Sequence, residues 1–313
     1  MSSRETVAAI DVGSNSIKLL VAKAGNGPQI VETVFVETIE TRISAGISCE
    51  LPSLSDEAMQ AGTATISELV RLARLYQPSD IQIVATSAVR DALNGQDFID
   101  AVKEATTLEI RILSGTQEAT YIGKGLACDP EIKGVKRFIQ MDIGGGSLEL
   151  VRFDHGHIEQ AISLQLGAVR LTERFIEDRD IPVSPDVETA IQSHVKDCLT
   201  KSGFNFSPSE CPLIVTGGAF SVTRAVLAAK AGTTIDHFRA QLSANEISDL
   251  KARLSALPLH ERMAVPHLPA ARADIVPTAL ITIETVLRHA QRSELTHSFY
   301  NLRYGIVAEM LVI

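Results

Sequence analysis

Two short segments share a spacing of residues suited to phosphate or metal chemistry. Ile10-Asp11-Val12-Gly13-Ser14-Asn15-Ser16 and Met141-Asp142-Ile143-Gly144-Gly145-Gly146-Ser147 both run apolar, Asp, apolar, Gly, two residues, Ser. A tight Gly-containing turn at the end of a strand presents backbone N–H groups with no side chain in the way. Such a nest accepts phosphate oxygens. An Asp just ahead of the turn suits Mg2+ or Mn2+, held directly or through water, because hard cations take carboxylate and water oxygens. One copy alone reads equally well as a plain hairpin turn. Two copies, each after an apolar strand, favour phosphate. Neither is a nucleotide P-loop or a dinucleotide fingerprint, because GxxxxGK[ST] is absent and a strand, not a helix, follows each turn.

Four further segments could complete the site. Ala85–Arg90 follows a β-rich run, and Arg90 can grip phosphate bidentately. Thr41-Arg42 precedes Ile43-Ser44-Ala45-Gly46 in a loop and offers a second guanidinium. Ser114–Ala119 opens a helix and places Glu118 in its first turn, while Glu149 stands two residues beyond Ser147. Each has a plainer reading taken alone: an exposed arginine on a helix, or a Glu answering the positive end of a helix dipole. His155-Gly156-His157 suggests a hairpin turn rather than a metal pair.

The elements that must position these residues alternate in type, which argues for an α/β protein. Strands are expected at 7–12, 17–23, 29–37, 81–86 and 109–113, with helices at 55–77, 95–106 and 116–127. The pattern then restarts, with strands at 137–143, 148–153, 158–164 and 213–216. Helices follow at 168–178, 185–201, 217–229, 244–256 and 273–291, with a last one from Leu302. The repeat of turn plus flanking strands predicts two domains of similar core topology. Ile275–Leu287 reads as a buried helix rather than a partner surface.

Composition narrows the function. At 313 residues the chain exceeds what one hydrophobic core comfortably fills. Its 29 basic residues against 38 acidic ones give a net charge of −9, so no nucleic-acid partner is expected. Trp is absent and aromatics are only 4%, which disfavours platforms for stacking bases. No run is long and apolar enough for a bilayer, and Met1–Glu5 is neither a signal peptide nor a lipidation site. Cys49, Cys128, Cys198 and Cys211 are far apart, without zinc spacing, so a reduced cytoplasmic protein with no membrane partner is expected.

The stretches IDVGSNSIKLLV, TRISAGI, ATSAVRDALN, ILSGTQEATYIGKG, MDIGGGSLELV, LGAVRLTERF, VTGGAFSVTRAVL, RADIVPTALITIETVL and LRYGIVAEML are collinear over nearly the whole chain. Together they resemble the exopolyphosphatase/guanosine-pentaphosphate phosphohydrolase (Ppx/GppA) family of the acetate kinase–actin–Hsp70 superfamily. The resemblance implies two ribonuclease-H-like, actin-like ATPase domains with the active site in the interdomain cleft. The first would span 1–124 plus 300–313 and the second 125–299. The family's additional C-terminal region would be absent.

It further implies hydrolysis of the terminal phosphoanhydride bond of inorganic polyphosphate with Mg2+ or Mn2+. Guanosine pentaphosphate is the alternative substrate, and a kinase-type or non-catalytic nucleotide-binding relative a more distant reading. Glu118, Glu149 and Arg90 would be catalytic. Asp11, Gly13, Ser14, Asn15, Arg42, Gly144, Gly145, Gly146 and Ser147 would bind phosphate, and Asp142 and Glu149 the metal. A homodimer is implied as well. Three departures stand out: Gln117 where a Glu is usual, Leu148 where a Thr hydroxyl is usual, and Tyr304 in place of a Glu.

Overall fold

A computed structural model describes residues 5–26, 30–44, 52–132 and 134–312. Gln29, the expected start of the third strand, lies outside them, as do Ala45, Gly46 and Ile47 of the TRISAGI stretch, and Cys49. The chain divides into two compact units, Met1–Val135 with Tyr300–Ile313, and Lys136–Phe299.

The first unit opens with an antiparallel meander, β1 (Thr6–Val12), β2 (Ser16–Ala24) and β3 (Val31–Glu40). Then come α1 (Asp56–Arg74), β4 (Asp80–Ala85), α2 (Ser87–Asp91), α3 (Gly95–Thr106), β5 (Ile110–Ile112) and α4 (Gly115–Leu126). The sheet order is β3-β2-β1-β4-β5, with β4 parallel to β1 and β5 parallel to β4. Alternation along the strands decides what each face carries. Ile10, Val12, Ile17 and Leu19 join Ile66, Leu69, Phe98 and Val102 of α1 and α3 in one apolar core. Asp11 and Lys18, opposite each other in the register, belong to the other face. Ser55 caps α1 by accepting the Ala58 N–H, with Asp56 and Glu57 in the first turn and Arg71 and Arg74 in the last, charges that suit the helix dipole.

The second unit repeats the plan. It runs β6 (Arg137–Ile143), β7 (Leu148–Asp154), β8 (His157–Leu164), α5 (Ala168–Phe175), α6 (Pro185–Ser202), β9 (Leu213–Thr216) and α7 (Gly218–Lys230). β10 (Gln241–Ser243), α8 (Ala244–Ser255), α9 (Leu259–Met263), α10 (Val276–His289) and β11 (Glu294–His297) complete it. Its sheet reads β8-β7-β6-β9-β11-β10. Taken from β8, the first five strands follow the order and directions of the first sheet, and β10 adds an antiparallel edge. His155 and Gly156, at φ 50° and 81°, form a two-residue hairpin turn between β7 and β8, as their sequence suggests. Every residue of α10 from Val276 to Leu287 is buried, so this apolar helix is core.

The last helix, α11 (Leu302–Met310), packs on α4, β1 and β2 of the first unit. α4 and α11 cross closely because two glycines meet there. A Cβ on Gly125 would lie 2.1 Å from the Asn301 carbonyl oxygen, and one on Gly305 would lie 1.9 Å from that of Tyr121. Glu309 accepts from Tyr121 Oη at 2.6 Å and pairs with Lys124, locking the far end of the contact. The first compact unit runs on to Val135, with α4 unbroken to Leu126 and Gly125 against α11. No helix of the described residues is long and apolar enough to cross a membrane.

Gly305→Ala should destabilise the first unit by about 1–3 kcal/mol, the usual cost of overpacking a tight contact. It would be read as an earlier urea midpoint, and an unchanged midpoint would contradict this helix crossing.

Candidate active site

In the first unit, the turn between β1 and β2 is closed by the Gly13 N–H, which donates to Ser16 O at 3.2 Å. The turn carbonyls are occupied by the segment that follows β3. Asn15 O accepts the N–H groups of Thr41 at 3.0 Å and Arg42 at 2.9 Å, and Ser14 O accepts both the N–H and the hydroxyl of Ser44. The N–H groups of Ser14 and Asn15 take no part in this bonding. Asn15 also donates through Nδ2 to Glu40 and accepts from Arg42 Nε at 3.2 Å, which draws Arg42 onto the turn. Arg42 adopts φ 45°, an uncommon left-handed backbone for a residue with a side chain.

Beside this turn, β4 runs directly into the single-turn helix α2, too short to show a period in the sequence. Ser87 Oγ lies 3.3 Å from Ser14 Oγ. Arg90 sits in the last turn of α2, where its Nη1 donates to Leu113 O at 2.8 Å and to Glu118 Oε2 at 3.2 Å. The Glu118 side chain is only 9% exposed. Its neighbour Gln117 does other work. Ser114 Oγ accepts the Gln117 N–H, and Gln117 Oε1 accepts the Ser114 N–H at 2.9 Å, a capping box that starts α4. Gln117 is thus turned back on its own helix terminus, and Glu118 is the carboxylate beside Arg90.

Asp11 is buried on the face covered by α11. Burial pushes its carboxyl above the ordinary carboxylate range, and the charges of Lys18 and Arg303 work against that rise. Arg303 is itself buried and donates to Leu19 O at 2.8 Å. Tyr304 turns away to share a hydrogen bond with Thr33 Oγ1 at 2.9 Å, far along β3 from the turn.

The second turn is built the same way from different residues. Gly144 N–H donates to Ser147 O at 3.0 Å. Gly144 O accepts from Ala168 N–H at 2.9 Å, and Gly145 O accepts from Val169 N–H at 2.9 Å and Arg170 N–H at 3.1 Å. Arg170 Nε adds a bond to Gly146 O at 3.0 Å. The donors at the start of α5, which have no partner within the helix, are satisfied by turn carbonyls. The N–H groups of Gly145 and Gly146 again take no part.

Across this sheet a polar row runs Thr216–Asp142–Glu149–Ser163 in direct register. Thr216 Oγ1 donates to Asp142 Oδ2 at 2.8 Å, and Ser163 Oγ donates to Glu149 Oε1 at 2.8 Å. The same row in the first sheet reads Val84–Asp11–Lys18–Thr38. Only the second turn therefore carries a cross-strand carboxylate pair. Among the described residues no group of three or more His, Cys, Asp or Glu could hold a metal. Two carboxylates suit Mg2+ or Mn2+, which keep water and substrate oxygens as their remaining ligands, and do not suit a closed zinc site.

Gly217, at φ 97°, lies against the pair: a Cβ there would be 2.0 Å from Asp142 Oδ1. Thr216, Ser163 and Ser87 were not singled out from the sequence. Strand register places the first two, and only folding brings Ser87 to Ser14. Leu148 is fully buried in the apolar core of the unit, on the face opposite Glu149, so a hydroxyl at this position would not reach the turn.

The sequence profile of the Ppx/GppA phosphatase family matches residues 20–312. The chain belongs to this family. As a Ppx/GppA protein it is a hydrolase of phosphoanhydride bonds. Its fold is similar to an exopolyphosphatase from Cytophaga hutchinsonii, with a TM-score of 0.87, 25% identity and 98% of each chain covered. It is also similar to the Aquifex aeolicus Ppx/GppA family member, with a TM-score of 0.80 and 21% identity over 99% of this chain and 98% of that one.

For this Ppx/GppA chain, Gly217→Ala should displace the Asp142 carboxylate and lower turnover by about 10²-fold, the scale of an ångström-level misplacement. Phosphate-release kinetics on the folded variant test this, and wild-type turnover would contradict it.

Proposed function

We propose that this Ppx/GppA phosphatase removes orthophosphate from the end of inorganic polyphosphate. The observation that carries the reading is the buried Glu118 held by Arg90 beside a turn whose Ser14 and Asn15 N–H groups take no part in the turn's own bonding. The likeness to the Cytophaga hutchinsonii exopolyphosphatase supports polyphosphate as the substrate.

Glu118 takes a proton from water as that water attacks the terminal phosphorus. A new P–O bond forms, the bond to the bridging oxygen breaks, and the shortened chain leaves with the electron pair. Arg90 and the Ser14 and Asn15 N–H groups stabilise charge on the phosphoryl oxygens, with Arg42 bound to the same turn. In the second unit, the Gly145 and Gly146 N–H groups serve phosphate oxygens. Asp142 and Glu149 would hold Mg2+ or Mn2+, which neutralises phosphate charge when bound. Thr216 and Ser163 fix the orientation of these two carboxylates.

Glu118→Gln should cut turnover by about 10²–10⁴-fold with little change in KM if it is the general base. Near-wild-type phosphate release would remove it from the mechanism. Polyphosphate and guanosine pentaphosphate should be compared side by side. A strong preference for the guanosine substrate would replace polyphosphate in the proposal, and transfer of the phosphoryl group to an alcohol acceptor would replace hydrolysis.

A further inference from the structure

The Gly217 turn, against which Asp142 rests, is tied to a buried side-chain chain that the mechanism above does not use. His297, at the end of β11, is 3% exposed. Arg224 Nη1 lies 3.3 Å from His297 Nδ1, His297 Nε2 lies 3.2 Å from Ser221 Oγ, and Ser221 Oγ donates to Gly217 O at 3.1 Å. The directions of these bonds follow from chemistry. A guanidinium only donates, so His297 Nδ1 must be the acceptor and the ring proton must sit on Nε2. That proton goes to Ser221 Oγ, and the hydroxyl proton goes on to the Gly217 carbonyl.

Arg224 is anchored in turn. It donates through Nη2 to Phe238 O and stacks over Phe299 at 5.0 Å. The α7 backbone supplies Ser221 and Arg224 one turn apart, so both reach toward the same β11 side chain.

We propose that Arg224, His297 and Ser221 form a brace that fixes the Gly217 turn and thereby holds Asp142 in place, with His297 as a positioning residue for the second turn. The Asp142 carboxylate has one oxygen on Thr216 and the other against the Gly217 Cα, so a shift of the turn opens space on one side of it. Burial and the Arg224 charge lower the His297 pKa to about 3, so the ring is neutral and the bond directions hold across the working pH range. The expected effect on rate rests on the proposed role of Asp142, whereas the mechanical claim does not.

Three variants test the brace: His297→Phe, which keeps a ring without hydrogen bonds; His297→Gln, which can accept from Arg224 and donate to Ser221; and the milder Ser221→Ala. Hydrogen exchange at the Gly217–Ala219 amides should quicken at least about tenfold in the Phe and Ala variants and return toward wild type in the Gln variant. In the same proteins kcat should fall about tenfold with KM for polyphosphate little changed. Unchanged exchange at the turn in Ser221→Ala, or faster exchange spread evenly over the second unit with kcat of the folded fraction intact, would overturn the brace. If the wild-type protein releases no phosphate from polyphosphate, the functional reading fails, while the exchange measurement still decides the brace.

Discussion

In the two tight turns the carbonyl oxygens of Ser14, Asn15, Gly144, Gly145 and Gly146 accept hydrogen bonds from described residues, whereas the N–H groups of Ser14, Asn15, Gly145 and Gly146 take no part in that bonding. Backbone polar groups need partners, so this asymmetry dictates much of each unit. Each carbonyl draws in a donor segment: residues 41–44 in the first unit and the start of α5 in the second. Those segments in turn decide where Arg42 and Arg170 stand. The remaining N–H groups form a row of partial positive charge with no side chain of their own, an environment suited to phosphate oxygens. A protein of net charge −9 can bind a polyanion only through such local arrangements, because its overall field opposes the approach.

The two copies share a backbone plan and differ in chemistry. The cross-strand partner of the turn Asp is Lys18 in the first unit and Glu149 in the second. Asp11 is thereby buried near cations from β2 and α11, yet burial still pushes its carboxyl up and the Arg303 guanidinium down. Asp142 faces a second carboxylate, and two neighbouring negative charges call for a cation or a proton. One difference in the repeat therefore gives the two turn aspartates opposite cross-strand partners, a cation in the first unit and a carboxylate in the second. The first unit adds Arg90 and Glu118, which have no counterpart in the repeated segment.

The sequence revealed most where a pattern was long or repeated. Both turns, the strands around them and the helices with capping signals are where their spacing predicts, because Ser55 and Ser114 act as caps in the structure as well. The short elements β10, β11, α2 and α9 escaped, whereas the equally short β5 and β9 stood out through their apolar, β-branched residues. The contact of Arg90 with Glu118 joins residues far apart in the chain and rests on how α2 and α4 are placed. Leu148 illustrates a different limit. A motif comparison marks it as a lost hydroxyl, whereas strand alternation turns its side chain into the core. The His297 brace likewise depends on one turn of α7 lying beside the end of β11, which no local spacing announces.

In the proposed mechanism water, with its proton taken by Glu118, attacks the terminal phosphorus of a phosphoanhydride chain. Turnover of polyphosphate in oxygen-18-labelled water tests it most directly. Attack at the terminal phosphorus places a single labelled oxygen in each released orthophosphate and none in the shortened chain. Label appearing in the remaining polyphosphate, or orthophosphate released without label, would contradict the account.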